Sequence, residues 1–395
     1  MRRMGSITGI VTDQNSVGIA GTEVLAYPAQ LPLRSVARAV ADDRGIYRIF
    51  GLLPGKYWVR SGVQTLEDGS ALIPTFGPQS GVVRDAQIHR ANMDIETTDA
   101  NLRPFAGSLY RLNGRILCDR SDTQALLTTQ VLVTLSSELG QQTSTTNCKD
   151  GAFSVGSLAP AAYEVFAIYA DGIGSGFTEV VLDRDTNASV QLLEQPLVEI
   201  EVVGAGGEKT PIRLTGRRDD LSGVGKAVDI RLPKSNMPPG HWELTAFVGP
   251  GNYVESIINP GNPSRRSSRA ARPSEWFDVF IANQSRTRLR ITVSNRAAQI
   301  AGIVKNENLP VAGAPVFLWP LTEAARRSLG GTRQVFADTM GKYRFEGLPP
   351  GDYRVLSTFD YQNVDLDLLE EARALTIRLD PSQSAAVDLP LWVAP

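Results

Sequence analysis

The chain has 395 residues, 42% of them hydrophobic and 21% charged, and a formal net charge of −2. That balance excludes a general pull toward nucleic acid or an anionic membrane, and no apolar run approaches the ~20 residues of a spanning helix. Two cysteines are too few for a disulfide-dense scaffold, and at roughly 100–150 residues per domain the length predicts three or four domains, each with its own core.

The opening MRRMGSITGIV is basic but has no apolar h-region, so it does not read as a signal peptide; the chain is then either cytosolic or exported by a signal outside this sequence. Strand patterns follow in order: TGIVTD at 8–13, a small-residue bend at Gly18–Gly21, Val24-Leu-Ala, and then a corner, GLLPGKYWV at 51–59. NGRILCD at 113–119 and Val131-Leu-Val precede a second corner, SLAPAAYEV at 157–165. A third, NMPPGHWEL, lies at 236–244, and AGIVKN at 301–306 and Val316-Phe-Leu precede the fourth, GLPPGDYRV at 347–355. Helical periodicity is nearly absent; Leu321–Leu329 and Leu366–Ala374 each suit a turn or two. Near the end, Leu375–Leu379 is expected to form a hairpin with Ala386-Val-Asp-Leu.

The corners define a repeat. Aligned on Pro54, Pro160, Pro239 and Pro350, an aromatic follows three places later each time: Tyr57, Tyr163, Trp242 and Tyr353. Gly45, Gly151 and Gly341 lie nine places before the proline, and Tyr47, Phe153 and Tyr343 seven before; the third copy lacks both. Prolines fix φ and glycine permits conformations closed to other residues, so each corner delivers its next strand in a set register. Short strands with turn signals every eight to twelve residues predict an all-β fold, a tandem array of small Ig-like or prealbumin-like β-sandwiches. The expected domains span 1–97, 98–195, 196–296 and 297–395, with the aromatics just named in their cores.

At these residues the chain resembles the carboxypeptidase regulatory-like family. Gly9-Ile-Val11-Thr-Asp13, Asp42-Asp-Arg-Gly45-Ile-Tyr47 and Leu53-Pro-Gly55-Lys-Tyr57 match its pattern, as do Gly302-Ile-Val304, Gly313-Ala-Pro-Val316, Asp338-Thr-Met-Gly341-Lys-Tyr343 and Leu348-Pro-Pro-Gly351-Asp-Tyr353. The second copy has Ala161 where glycine is expected. The resemblance implies a transthyretin-like sandwich, grouped with carbohydrate-binding-like folds, in bacterial proteins that are exported or displayed at the cell surface. It carries over no catalytic residue.

The chain's own residues supply little chemistry. His89 and His241 stand far apart with no HExxH, no GxSxG and no P-loop lysine, so no catalytic residue, metal or cofactor is assigned. Aspartates such as Asp42-Asp43 and Asp219-Asp220 read as turn residues bonding their own backbone. Cys118 stands where the first and last copies have Asp13 and Asn306, and Cys148 where they have Asp42 and Asp338, so the two cysteines are expected to form a disulfide. Trp58 follows core Tyr57 and should point outward, toward a neighbouring repeat or a sugar. Arg265, Arg266, Arg269 and Arg272 lie within eight residues between Pro263 and Pro273, a solvated loop or a contact for an acidic polysaccharide or partner. These features predict a non-enzymatic stalk, adhesion or assembly scaffold outside the cytoplasm. Its partners would be proteins or further copies recruited at sheet edges, with polysaccharide a further candidate. The alternatives are a carbohydrate-binding protein with a glycan site on one repeat, and a regulatory fragment separated from an enzyme.

Overall fold

A computed structural model describes residues 4–29, 33–66, 69–119, 129–205, 211–261, 274–282 and 286–394. The fold is all-β: the strands assemble into small sheets around several hydrophobic cores, and among the described residues two short α-helices lie after residue 320. The chain divides into two compact units, Met1–Gln195 with Asp219–Gly225, and Pro196–Arg218 with Lys226–Pro395.

The first unit holds two hydrophobic cores. One lies between the sheet ordered Ile46–Leu52, Gly5–Ile10, Glu96–Thr97 and the sheet ordered Ala37–Val40, Glu23–Pro28, Gly55–Ser61, His89–Ala91. The other is wrapped by seven strands in the order Gly140–Asn147, Gln130–Ser137, Ala161–Tyr169, Gly174–Leu182, Thr186–Glu194, Tyr110–Cys118, Ala152–Leu158. In the second unit one core is built on Leu197–Gly204, Arg286–Ser294 and Tyr253–Ile258 facing Ile212–Asp220, Gly240–Val248 and Phe277–Ile281. The last core lies between Ala298–Asn306 with Lys342–Leu348, and Arg333–Phe336, Pro315–Pro320, Gly351–Ser357, Leu375–Leu379.

Two devices set the register, and both are written in the repeat. The opening strand pairs a glycine with the hairpin aromatic: Gly9 with Tyr47, Gly114 with Phe153, Gly302 with Tyr343. Phe153 lies across the bare face of Gly114, where a Cβ would sit 2.0 Å from its ring, while the bare faces of Gly9 and Gly302 are closely approached by the carbonyls of Ala100 and Val387. The Tyr343 hydroxyl then donates to the Val387 carbonyl at 2.7 Å, and Tyr47 donates likewise to Ala100. The second device is the corner itself. Tyr57 donates its hydroxyl to the Leu53 carbonyl (2.7 Å), Tyr163 to Ala159 (2.9 Å) and Tyr353 to Pro349 (2.5 Å), while Trp242 donates its indole N–H to Pro238 (2.9 Å). In every copy the ring fills the core and its polar tip reaches back four residues to a corner carbonyl. Tyrosine and tryptophan both supply such a donor and phenylalanine does not. Gly240 and Gly351 stand at φ 124° and 152°; Ala161, without positive φ, turns the second corner.

Tyr47, Tyr57, Phe153, Tyr163, Trp242, Tyr343 and Tyr353 are all buried. The expected terminal hairpin does not form. Leu375–Leu379 pairs with Gly351–Ser357, whereas Ser384–Ala386 pairs in parallel with Ala298–Asn306 in the opposite sheet. The link between them crosses the sandwich, because both sheets of this core still lack an edge strand at that point. The helix Glu323–Leu329 starts at Thr322, whose hydroxyl accepts the Ala325 N–H (3.3 Å), and stops at Gly330 in the left-handed region. The second helix, Leu366–Glu371, buries Leu368 and Leu369 on the outer face of the last sandwich against Phe317 and Leu356.

Around each of these four cores the first strand lies parallel to a late one. Gly5–Ile10 pairs with Glu96–Thr97, Tyr110–Cys118 with Thr186–Glu194, Leu197–Gly204 with Arg286–Ser294 and Ala298–Asn306 with Ser384–Ala386. Each sandwich therefore takes the chain in at one pole and releases it at the other.

Candidate functional site

Cys118 ends the strand Tyr110–Cys118, and Cys148 follows the strand Gly140–Asn147. They form a disulfide with Cα atoms 5.8 Å apart, partly buried against the second core. In the first and last copies the site of Cys148 holds an aspartate instead. Asp42 accepts the N–H groups of Arg44 (2.9 Å) and Ile46 (2.8 Å), and Asp338 those of Met340 and Lys342 (both 2.8 Å). The bond from Ile46 leads the influences that hold the Asp42 carboxyl below its ordinary pKa.

Trp58 lies on the face of Gly55–Ser61 away from the core, between buried Tyr57 and Val59, and is half-buried opposite Tyr27. That outer face is roofed. Arg60, on the same face, places its guanidinium 4.9 Å from the centre of the Tyr27 ring and 5.6 Å from that of Phe76, which comes from the segment after the strand. Its Nη1 donates to the Leu139 carbonyl at 2.6 Å, so an arginine of the first sandwich is spent on a turn of the second. Burial lowers the pKa of Arg60 and raises that of Tyr27. Arg265, Arg266, Arg269 and Arg272 lie outside the described residues.

The second unit has a comparable partly buried pair that sequence reasoning missed. Glu243, beside the corner Trp242, accepts from Arg217 (2.6 Å) and from the Ser274 hydroxyl (2.5 Å), and the Arg217 guanidinium stacks 4.1 Å from the Trp276 ring centre. The end of the helix Glu323–Leu329 seats here: a Cβ on Gly330 would lie 3.1 Å from the Thr245 hydroxyl, and one on Gly331 2.5 Å from the Glu275 carboxylate. Strand alternation gave the available signal, since Glu243 must face away from the core that Trp242 fills. What covers that face comes from Arg217, Ser274 and Trp276 of the same sandwich and from the end of the following helix.

Elsewhere, Phe50, Met4 and Ile95 are exposed around a shallow groove crossed by an Arg48–Glu96 ion pair of 3.0 Å. His89 is buried, its Nε2 has no partner among the described residues, and burial lowers its pKa, which keeps the ring neutral. His241 lies 3.9 Å from Asp278 and against the Phe280 ring. Among the described residues no group of three or more His, Cys, Asp or Glu is placed to hold a metal ion, and no helix is long and apolar enough to cross a membrane. These side chains hold strands, turns and neighbouring cores in place.

No family model matches the chain, and no curated protein does. Among solved structures it is similar to the Bacillus anthracis TIE protein, at 11% identity over 99% of this chain and 74% of that one, with a TM-score of 0.20. A streptococcal ancillary pilin matches at 9% identity over 72% of this chain and 99% of its own, with a TM-score of 0.23. BcpA, the major pilin subunit of Bacillus cereus, matches at 11% identity over 98% and 99%, with a TM-score of 0.20. At scores this low the likeness carries no argument about what the chain does.

Proposed function

We propose that this chain is a non-enzymatic spacer, a series of four carboxypeptidase regulatory-like sandwich domains with boundaries near residues 97, 195 and 296, serving outside the cytoplasm as a stalk, adhesion or assembly scaffold. The observation that carries this reading is the path of the chain. A parallel pairing of first and late strands makes every sandwich move the chain from one of its own poles to the other. Partly buried arginines support it by fastening one core to the next within a unit, at Arg60, or bracing the face on which the next core seats, at Arg217. The Cys118–Cys148 disulfide favours an oxidising compartment.

The test is made in cells that produce the protein. Antibodies against the chain should label intact cells as strongly as lysed ones, and acid-quenched alkylation should find both cysteines blocked. Labelling confined to lysed cells, with both thiols free, would overturn the proposal.

A further inference from the structure

We infer that two copies of this chain associate through the edge strand Gly140–Asn147, pairing antiparallel about Thr143. The inference builds on the scaffold reading, but its test reads association rather than location, so either can fail alone.

The strand lies at one end of the seven-stranded sheet and pairs on one side only, with Gln130–Ser137. Its sequence, GQQTSTTN, has no charge and no proline. Long exposed edges are normally guarded by a charge, a proline or a bulge that prevents pairing with another chain. Other edges here follow that rule: Arg48 sits within Ile46–Leu52, Arg344 within Lys342–Leu348, Glu255 within Tyr253–Ile258 and Arg378 within Leu375–Leu379. The opposite edge of the same sheet, Ala152–Leu158, is also uncharged, but it is broken by an irregular register and by Ser157 at φ 58°. Gly140–Asn147 has no such guard.

The backbone parity of the strand fixes what it offers. Ser137 and Gly140 flank the two-residue turn Glu138–Leu139 and face each other. A pair in that position exchanges both backbone hydrogen bonds. Gln142, Ser144 and Thr146 then bond inward, and Gln141, Thr143 and Thr145 turn their N–H and C=O outward. Asn147 agrees with this parity, because its carbonyl already accepts the Gly151 N–H at 2.9 Å. Opposed residues in an antiparallel pair must share parity, so a two-fold axis can pass through Thr143. Thr143 then faces its own copy, Gln141 faces Thr145, and about six backbone hydrogen bonds close between the strands.

Charge suits this arrangement. No like charges meet along the paired strands, and the Glu138 end of one copy runs beside the Lys149 end of the other, a contact made twice by symmetry. Neither side chain has an ion-pair partner among the described residues. The strand is also held ready. Its turn is gripped by Arg60 on the Leu139 carbonyl and by Asp220, which accepts from Ser136 (2.9 Å) and Gln141 (3.0 Å). Its other end is pinned by the Cys118–Cys148 disulfide. A strand already fixed in extended form loses little freedom when a partner adds to it.

The test is sedimentation of the full chain over a concentration series, with two variants at exposed positions. Wild type should pass from monomer to dimer. Thr143→Lys/Thr145→Lys and Thr143→Glu/Thr145→Glu should each weaken the dimer by about tenfold or more through like-charge opposition. An equimolar mixture of the two variants should associate at least as tightly as wild type, a rescue that requires the two strands to lie side by side. A wild-type chain still monomeric near 1 mM, or a dimer indifferent to both variants, overturns the inference.

Discussion

Replacing Tyr353 with phenylalanine isolates the corner's polar tip from its hydrophobic bulk. The ring stays, fully buried, and only the hydroxyl that donates to the Pro349 carbonyl at 2.5 Å is lost. A buried carbonyl left without a partner costs about 1–3 kcal/mol, whereas one that water can reach costs about 0.5–1.5. Tyr353 and Tyr163 make this bond in buried surroundings and Tyr57 in partly buried ones. Tyr353→Phe and Tyr163→Phe should therefore each cost more than Tyr57→Phe. With several cores in one chain a single unfolding midpoint is ill defined, so the assay is native-state hydrogen exchange read by peptide. In Tyr353→Phe, strands between 298 and 379 should exchange about 5–150-fold faster, while peptides from 110–194 keep their wild-type rates. Unchanged exchange around Tyr353, or a larger effect at Tyr57, would refute the argument that the hydroxyl closes the corner.

Replacing Cys118 and Cys148 with serine reopens a loop of sequence separation 30 and should destabilise the second sandwich by roughly 3–4 kcal/mol, seen as faster exchange confined to residues 110–194. Gly302→Ala would place its Cβ 1.7 Å from the Val387 carbonyl oxygen, so the last sandwich should lose its cooperative melting transition in calorimetry. Gly81→Ala, with open space around the new methyl, should leave that transition in place. His89 titrates in the opposite sense to a histidine that gains a partner: burial lowers its folded pKa, so the unfolded chain binds the extra proton. Its contribution should be complete above about pH 6.5 and be lost as pH falls through the depressed folded value, and in His89→Gln urea midpoints should lose that slope.

The parts legible in the sequence were those whose physics is local. A proline fixes its own φ, and an aromatic three places on must face inward by alternation, so Tyr57, Tyr163, Trp242 and Tyr353 could be placed from spacing alone. The cysteines could be paired because each replaced a polar residue at a matched offset. What could not be read was which outer faces are covered. Alternation puts Trp58 and Arg60 outside the first core, but the roof over them comes from the segment carrying Phe76, which shows no periodic pattern. Likewise the apolar residues of Leu375–Leu379 identify a strand without saying which sheet needs it, and nearness in sequence suggested the wrong neighbour. Glu243 faces outward by alternation, but its partners Arg217 and Ser274 lie far from it in sequence, where no periodic pattern marks them.

The parallel pairing of first and late strands has a mechanical consequence. When the ends of such a sandwich are pulled apart, the two strands are dragged along each other in opposite directions, and their hydrogen bonds are loaded together in shear instead of opening one after another. Resistance should then follow the length of the shared ladder. The third sandwich pairs residues 197–204 with 286–293 and the second pairs 112–118 with 186–192, while the ladder of the first is interrupted, with Ser6 and Ile7 against Glu96 and Thr97 and then Val11 against Leu102. Under tension the first sandwich should yield earliest, and the second, when it yields, should hold back the stretch between Cys118 and Cys148, about 100 Å of contour length.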